Sequence, residues 1–132
     1  MFNHLRIDVL ASEHWTAEVR VRVDGADLVA DTTGPGGFGA YAPLLLPATG
    51  ESPLRAGTEP RRVLLGEPEC TGDCCGHLAV SVRRHGDLVI WSDWETPGDE
   101  PHPPDFHFDA HPYDTELARA RADRWWDVPP AP

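Results

Sequence analysis

Val19, Val21 and Val23 alternate with Glu18, Arg20 and Arg22. A period of two residues buries one face of a strand and wets the other. This stretch therefore needs sheet partners beside it and a cover on its valine face. The same period recurs in Leu5, Ile7 and Val9, set between Arg6 and Asp8, and in Leu78, Val80 and Val82. Phe106 and Phe108 alternate with Asp105, His107 and Asp109 in a shorter version. Leu88-Val89-Ile90-Trp91 is apolar on both parities, as expected of a strand flanked on both sides. Asp24-Gly25 and Gly86-Asp87 supply the turn chemistry of antiparallel hairpins.

These signals divide the 132 residues within a single domain. Residues 3–31 read as a β-meander, with Leu28-Val29-Ala30 returning as a strand. Residues 32–60, rich in Gly and Pro, read as a long irregular loop. Residues 61–95 hold a strand, a cysteine knuckle and a β-hairpin, and 96–104 form a proline-rich linker. Residues 105–127 give a short strand and a helix over about 110–126, with Asp109 as N-cap and Pro112 in the first turn. On that helix Tyr113, Leu117, Ala118 and Trp125 share a side with Arg121, and Glu116, Arg119 and Asp123 lie opposite. The fold class is α+β: mainly antiparallel sheet, about five to seven strands, with one C-terminal helix packed on it.

Charge narrows the partners. The chain has 22 Asp plus Glu against 11 Arg and no Lys, for a net charge of −11. Nucleic acids and anionic membrane surfaces require clustered positive charge, so neither is an expected partner. No run approaches the ~20 apolar residues of a spanning helix. Met1 to Asp8 lacks a basic region followed by an apolar run, so no secretory signal is read. Cys70, Cys74 and Cys75 are odd in number and closely packed, which fits a reducing compartment and a cytoplasmic location. The negative charge is also regional. His85 to Ala118 contains Asp87, Asp93, Glu95, Asp99, Glu100, Asp105, Asp109, Asp114 and Glu116 without one arginine.

Three constellations carry chemistry. Cys70, Cys74, Cys75 and His77 have the ligand types of a tetrahedral zinc site, although a tight turn with semi-buried thiols is the plainer reading. Asp93, Glu95, Asp99, Glu100, Asp105 and His107 form an acidic surface for a basic partner. Its plainer reading is a charged edge strand that resists pairing with another chain. Arg121 on the apolar side of the helix calls for a carboxylate, and Asp93, or else Glu95, is the expected partner in a structural ion pair. Gly34-Pro35-Gly36-Gly37-Phe38-Gly39 is no phosphate loop, since no helix pattern or lysine follows it.

One resemblance covers about half the chain. Leu65-Gly66, the Cys/Gly-rich knuckle, Val89-Ile90-Trp91-Ser92-Asp93 and Phe106-x-Phe108-Asp109-Ala110-x-x-Tyr113-Asp114-x-Glu116-Leu117 are together similar to a family of small, uncharacterised actinobacterial proteins. The resemblance brings no activity with it. The expected function is a non-enzymatic interaction module for a basic protein, in the manner of an immunity protein or antitoxin. A zinc-binding module on the Cys70–His77 knuckle and a small metal-dependent hydrolase using Asp105 and His107 are the alternatives. The expected cofactor is accordingly none or zinc.

Overall fold

A computed structural model describes residues 1–11, 17–34, 36–69, 76–98 and 100–127. Its elements are β1 (Leu5–Ala11), β2 (Ala17–Val23), β3 (Ala26–Asp27), α1 (Leu28–Thr33), β4 (Phe38–Tyr41), α2 (Ala42–Leu45), β5 (Arg61–Glu67), β6 (Leu78–His85), β7 (Leu88–Glu95), β8 (Phe106–Asp109) and α3 (Ala110–Ala122). The fold is α+β and mainly antiparallel. The sheet runs β1-β2-β4-β5-β6-β7-β8, with the two-residue β3 paired to β2 off that path. Its two ends almost meet. Asn3, just before β1, bridges Phe108 of β8. The Asn3 N–H donates to the His107 carbonyl at 2.8 Å, and Asn3 Oδ1 accepts the His107 N–H at 2.8 Å.

Alternation sets what lies inside. Ile7, Val19, Val21 and Val23 are buried on one face of β1 and β2, as their period requires. Trp91, Phe108 and Tyr113 are fully covered further along the sheet. Trp91 meets the Phe108 ring edge-on at a centroid distance of 5.2 Å and the Tyr113 ring at 6.3 Å. Its Nε1–H donates to the Tyr113 hydroxyl at 3.2 Å, and that hydroxyl donates to the Leu54 carbonyl at 2.5 Å. Burial raises the Tyr113 phenol pKa far above its ordinary value, so the group stays a neutral donor.

Three sequence expectations change here. Leu28-Val29-Ala30 is not a returning strand; it opens α1. The hairpin is closed by Asp24 and Gly25 at positive φ, the geometry of a two-residue turn. It ends two residues later, because the Asp27 carboxylate accepts the Ala30 N–H and caps a helix. Residues 32–60 are not one irregular loop, since β4 and α2 lie within them. The rest of that stretch is fastened by side chains. Ser52 Oγ donates to the Leu45 carbonyl at 2.5 Å, Arg124 to Leu46 at 2.9 Å and Tyr113 to Leu54. Finally, α3 stops at Ala122 rather than near 126. Leaving the helix lets Trp126 bury itself, with the Arg124 guanidinium 4.4 Å from its ring centre.

The face of α3 that meets the sheet is also different. Ala110, Tyr113, Leu117 and Ala120 are buried, whereas Ala118 and Trp125 are exposed. Glu116 is largely covered and Arg119 only partly exposed, and both reach the sheet. Glu116 Oε2 accepts the Ile7 N–H at 2.6 Å, and Arg119 donates to the Ile7 carbonyl at 2.7 Å. The two side chains are themselves paired at 2.6 Å. Together they satisfy the backbone N–H and C=O of Ile7 in edge strand β1, as a neighbouring strand would.

This clamp is pH-sensitive. Burial pushes the Glu116 carboxyl up, but the Arg119 and Ile7 hydrogen bonds, with the Arg119 and Arg6 charges, outweigh it, so its pKa is lowered. A carboxyl depressed in the folded state gives its full stabilisation above its unfolded pKa. That stabilisation is lost as pH falls through the folded value. Glu116→Gln is expected to cost about 1.5–3 kcal/mol at neutral pH, the range for a hydrogen bond to a charged group. Most of the difference should vanish in acid. Urea unfolding of both proteins at a series of pH values from 7 downward checks this, and a difference that stays constant across the whole series would contradict it.

Candidate functional site

The β7–β8 register decides which acids point outward. Trp91 lies opposite Phe106, Ile90 opposite His107 and Leu88 opposite Asp109. With Phe106 and Phe108 buried, His107 and the preceding Asp105 are exposed, and Asp109 is half-buried at the start of α3. Asp93 sits where the β6–β7 register shifts, with φ 54°. A bulge there adds a residue to β7 and turns the Asp93 side chain outward. Aspartate adopts this left-handed backbone more readily than most residues. The Asp93 carbonyl accepts from Arg62, and its carboxylate stays exposed. Asp87 lies in the tight turn between β6 and β7.

Most other carboxylates of the fold have partners. Asp8 pairs with Arg22 at 2.8 Å, Asp27 with Arg20 at 3.1 Å and Asp114 with Arg84 at 3.1 Å. Burial pushes the Asp8 carboxyl up, yet the Arg22 and Arg6 hydrogen bonds and charges bring it below its ordinary value. Glu95 Oε2 lies 2.5 Å from His77 Nε2. Asp87, Asp93, Glu100 and Asp105 are exposed and join no ion pair among the described residues, a state that Asp31, Glu59, Glu69 and Asp123 share elsewhere on the surface. Their charge is left for solvent or a partner.

The remaining predicted residues separate. Cys70, Cys74, Cys75 and Asp99 lie outside the described residues, and so does the zinc knuckle apart from His77, which is exposed. Among the described residues no group of three or more His, Cys, Asp or Glu is placed to hold a metal ion. His107 and Asp105 stand on the exposed side of β8, and the His107 backbone closes the sheet against Asn3. The expected Arg121–Asp93 ion pair does not form. Arg121 donates to the carbonyls of Pro47 at 2.9 Å and Gly50 at 2.7 Å. Arginines at and just past the end of α3 reach carbonyls of residues 46–50, which take the Arg121 guanidinium instead. Among the described residues no helix is long and apolar enough to cross a membrane.

Sequence reasoning missed a cleft of about 440 Å³ between α1 and residues 100–104. Buried Val23, Leu28 and Phe106 line it, and Asp31 and Glu100 stand on opposite walls. The Asp27 cap and the run of prolines were its only local traces, and neither indicates that the two segments face each other. No protein-family model matches the chain, and no curated protein or solved structure does so either.

Proposed function

We propose that this protein is a non-catalytic interaction module that docks a basic protein partner on the acidic outer side of β7 and β8. The observation that carries this reading is the contrast among its carboxylates. Those of β1, β2 and α3 are largely matched to arginines, whereas Asp87, Asp93 and Asp105 are exposed and unmatched. An unmatched field of one sign speeds encounter with a partner of the other sign and disfavours like-charged ones. The same field disfavours nucleic acid. The neutralisation of a basic toxin in the cytoplasm is one form such a role takes.

Asp87→Asn, Asp93→Asn and Asp105→Asn combined remove three charges without altering shape, and asparagine tolerates the backbone at position 93. Wild type and this variant, each immobilised, would be challenged with basic proteins of the source cell at rising salt. The reading expects partners held by the wild type at low salt, released by ~1 M salt, where screening acts within ~3 Å, and lost by the variant. Retention of the same proteins by both, at the same salt, would overturn it.

A further inference from the structure

The cleft between α1 and residues 100–104 combines features that the exposed acidic face lacks. Part of its lining is apolar and buried: Val23 from β2, Leu28 from α1 and Phe106 from β8. Its volume of about 440 Å³ falls within the usual span of ligand pockets, roughly 300–1,000 Å³. Its outer wall is held in place at both ends. Thr96 Oγ1 donates to the Glu100 carbonyl at 2.8 Å, and Trp94 Nε1–H donates to the Pro104 carbonyl at 3.0 Å. Pro101, Pro103 and Pro104 limit the backbone freedom between those two ties. The cleft is therefore shaped before anything enters it, and little ordering cost falls on binding.

Two acidic residues line this cleft from different elements, Asp31 from α1 and Glu100 from the wall. Neither forms an ion pair with an arginine among the described residues. An occupant that satisfies both the lining and the walls has an apolar stem and a cationic head that can be shared by two carboxylates. Arginine fits this best. Its methylene stem packs on apolar surface such as the prolines, and its planar fork donates in two directions at once and can stack on the flat ring of His102.

The geometry points to this cleft as the receptor for an arginine side chain presented by the basic partner. The inference rests on the proposed interaction role and specifies what the partner inserts. It involves Asp31 and Glu100, and the test of the acidic face uses neither, so the two can fail separately.

The test is a titration of the full-length, ¹⁵N-labelled protein with acetyl-Gly-Arg-Gly-amide, followed by amide chemical shifts. The same peptide is then used with lysine or with citrulline in place of arginine, alongside free arginine. The arginine peptide should give saturable shifts centred on residues 28–32 and 100–106, and the lysine peptide a weaker version of them. Citrulline, isosteric but uncharged, should give none. Asp31→Asn and Glu100→Gln should each weaken binding by up to about fivefold, the upper range for a single ion pair, with the rest of the spectrum unchanged. Equal shifts from citrulline, no saturable shifts at these residues, or no effect of either substitution would overturn the assignment. So would free arginine binding more tightly than the peptide, since that would mark a small-molecule site.

Discussion

Trp91→Ala should remove about 3–5 kcal/mol of stability, the range for deleting a large buried aromatic side chain. A domain of this size has roughly 5–15 kcal/mol in total, so the variant would sit close to unfolding. The magnitude follows from where Trp91 lies. It is fully buried in β7 and packs edge-on against Trp94, Phe108 and Tyr113. It also fixes the Tyr113 hydroxyl, which donates to Leu54 in the segment after α2. Its removal opens a cavity and loosens the link between β7, α3 and residues 46–54 together. Urea unfolding followed by far-ultraviolet circular dichroism measures the loss. Trp91→Phe keeps an aromatic ring in the site and should recover at least half of it. A cost below about 1 kcal/mol for the alanine variant would mean that the site collapses without a cavity and is not the centre of the core.

The strand that carries Trp91 is legible in the sequence as a continuous apolar run after a turn, and β1, β2, β6 and β8 are legible because period-two burial is a local signal that tertiary context did not override. The Asp109 cap is legible for the same reason. One miss is local, and the others depend on residues far apart in the chain. Leu28-Val29-Ala30 is as apolar as a strand, and only the Asp27 carboxylate on the Ala30 N–H diverts it into a helix. Phe38-Gly39-Ala40-Tyr41 has no alternation, yet it becomes β4 because β2 and β5 hold it from both sides. Glu116 and Arg119 look like a solvent-facing i,i+3 pair. Their role emerges once the unpaired backbone of β1 is seen to need partners. Arg121 signalled correctly that it needed a partner, but carbonyls of a loop satisfy it, and no sequence pattern marks carbonyls. The candidate site divides the same way. The outward direction of Asp105 and His107 follows from alternation, whereas the cleft exists only because α1 and the proline segment pack face to face.

The placement of β4 gives the second large effect. Gly39→Ala should destabilise the protein by about 3 kcal/mol or more, at or beyond the upper end for overpacking. A Cβ at residue 39 would lie 1.8 Å from the Val19 carbonyl oxygen and 2.8 Å from its carbon. Those are backbone atoms of β2, so no side-chain rotation relieves the clash and the strand itself must move. Gly39 also lies opposite Gly66 of β5, where an added Cβ would come within 2.9 Å of the Phe38 carbonyl oxygen. Two glycines thus let three strands pass close together where β4 joins β1–β3 to β5–β8. The damage should be lopsided. Amide hydrogen exchange is expected to quicken first in β1, β2 and β4, while β6 and β7 stay protected around the aromatic cluster. Gly57→Ala serves as the control, because a Cβ there meets nothing within 4 Å and the residue needs no left-handed backbone. If Gly39→Ala melts with the Gly57→Ala control, β2 and β4 are not in close contact at this point, and the junction between the two halves of the sheet must be held by side chains instead.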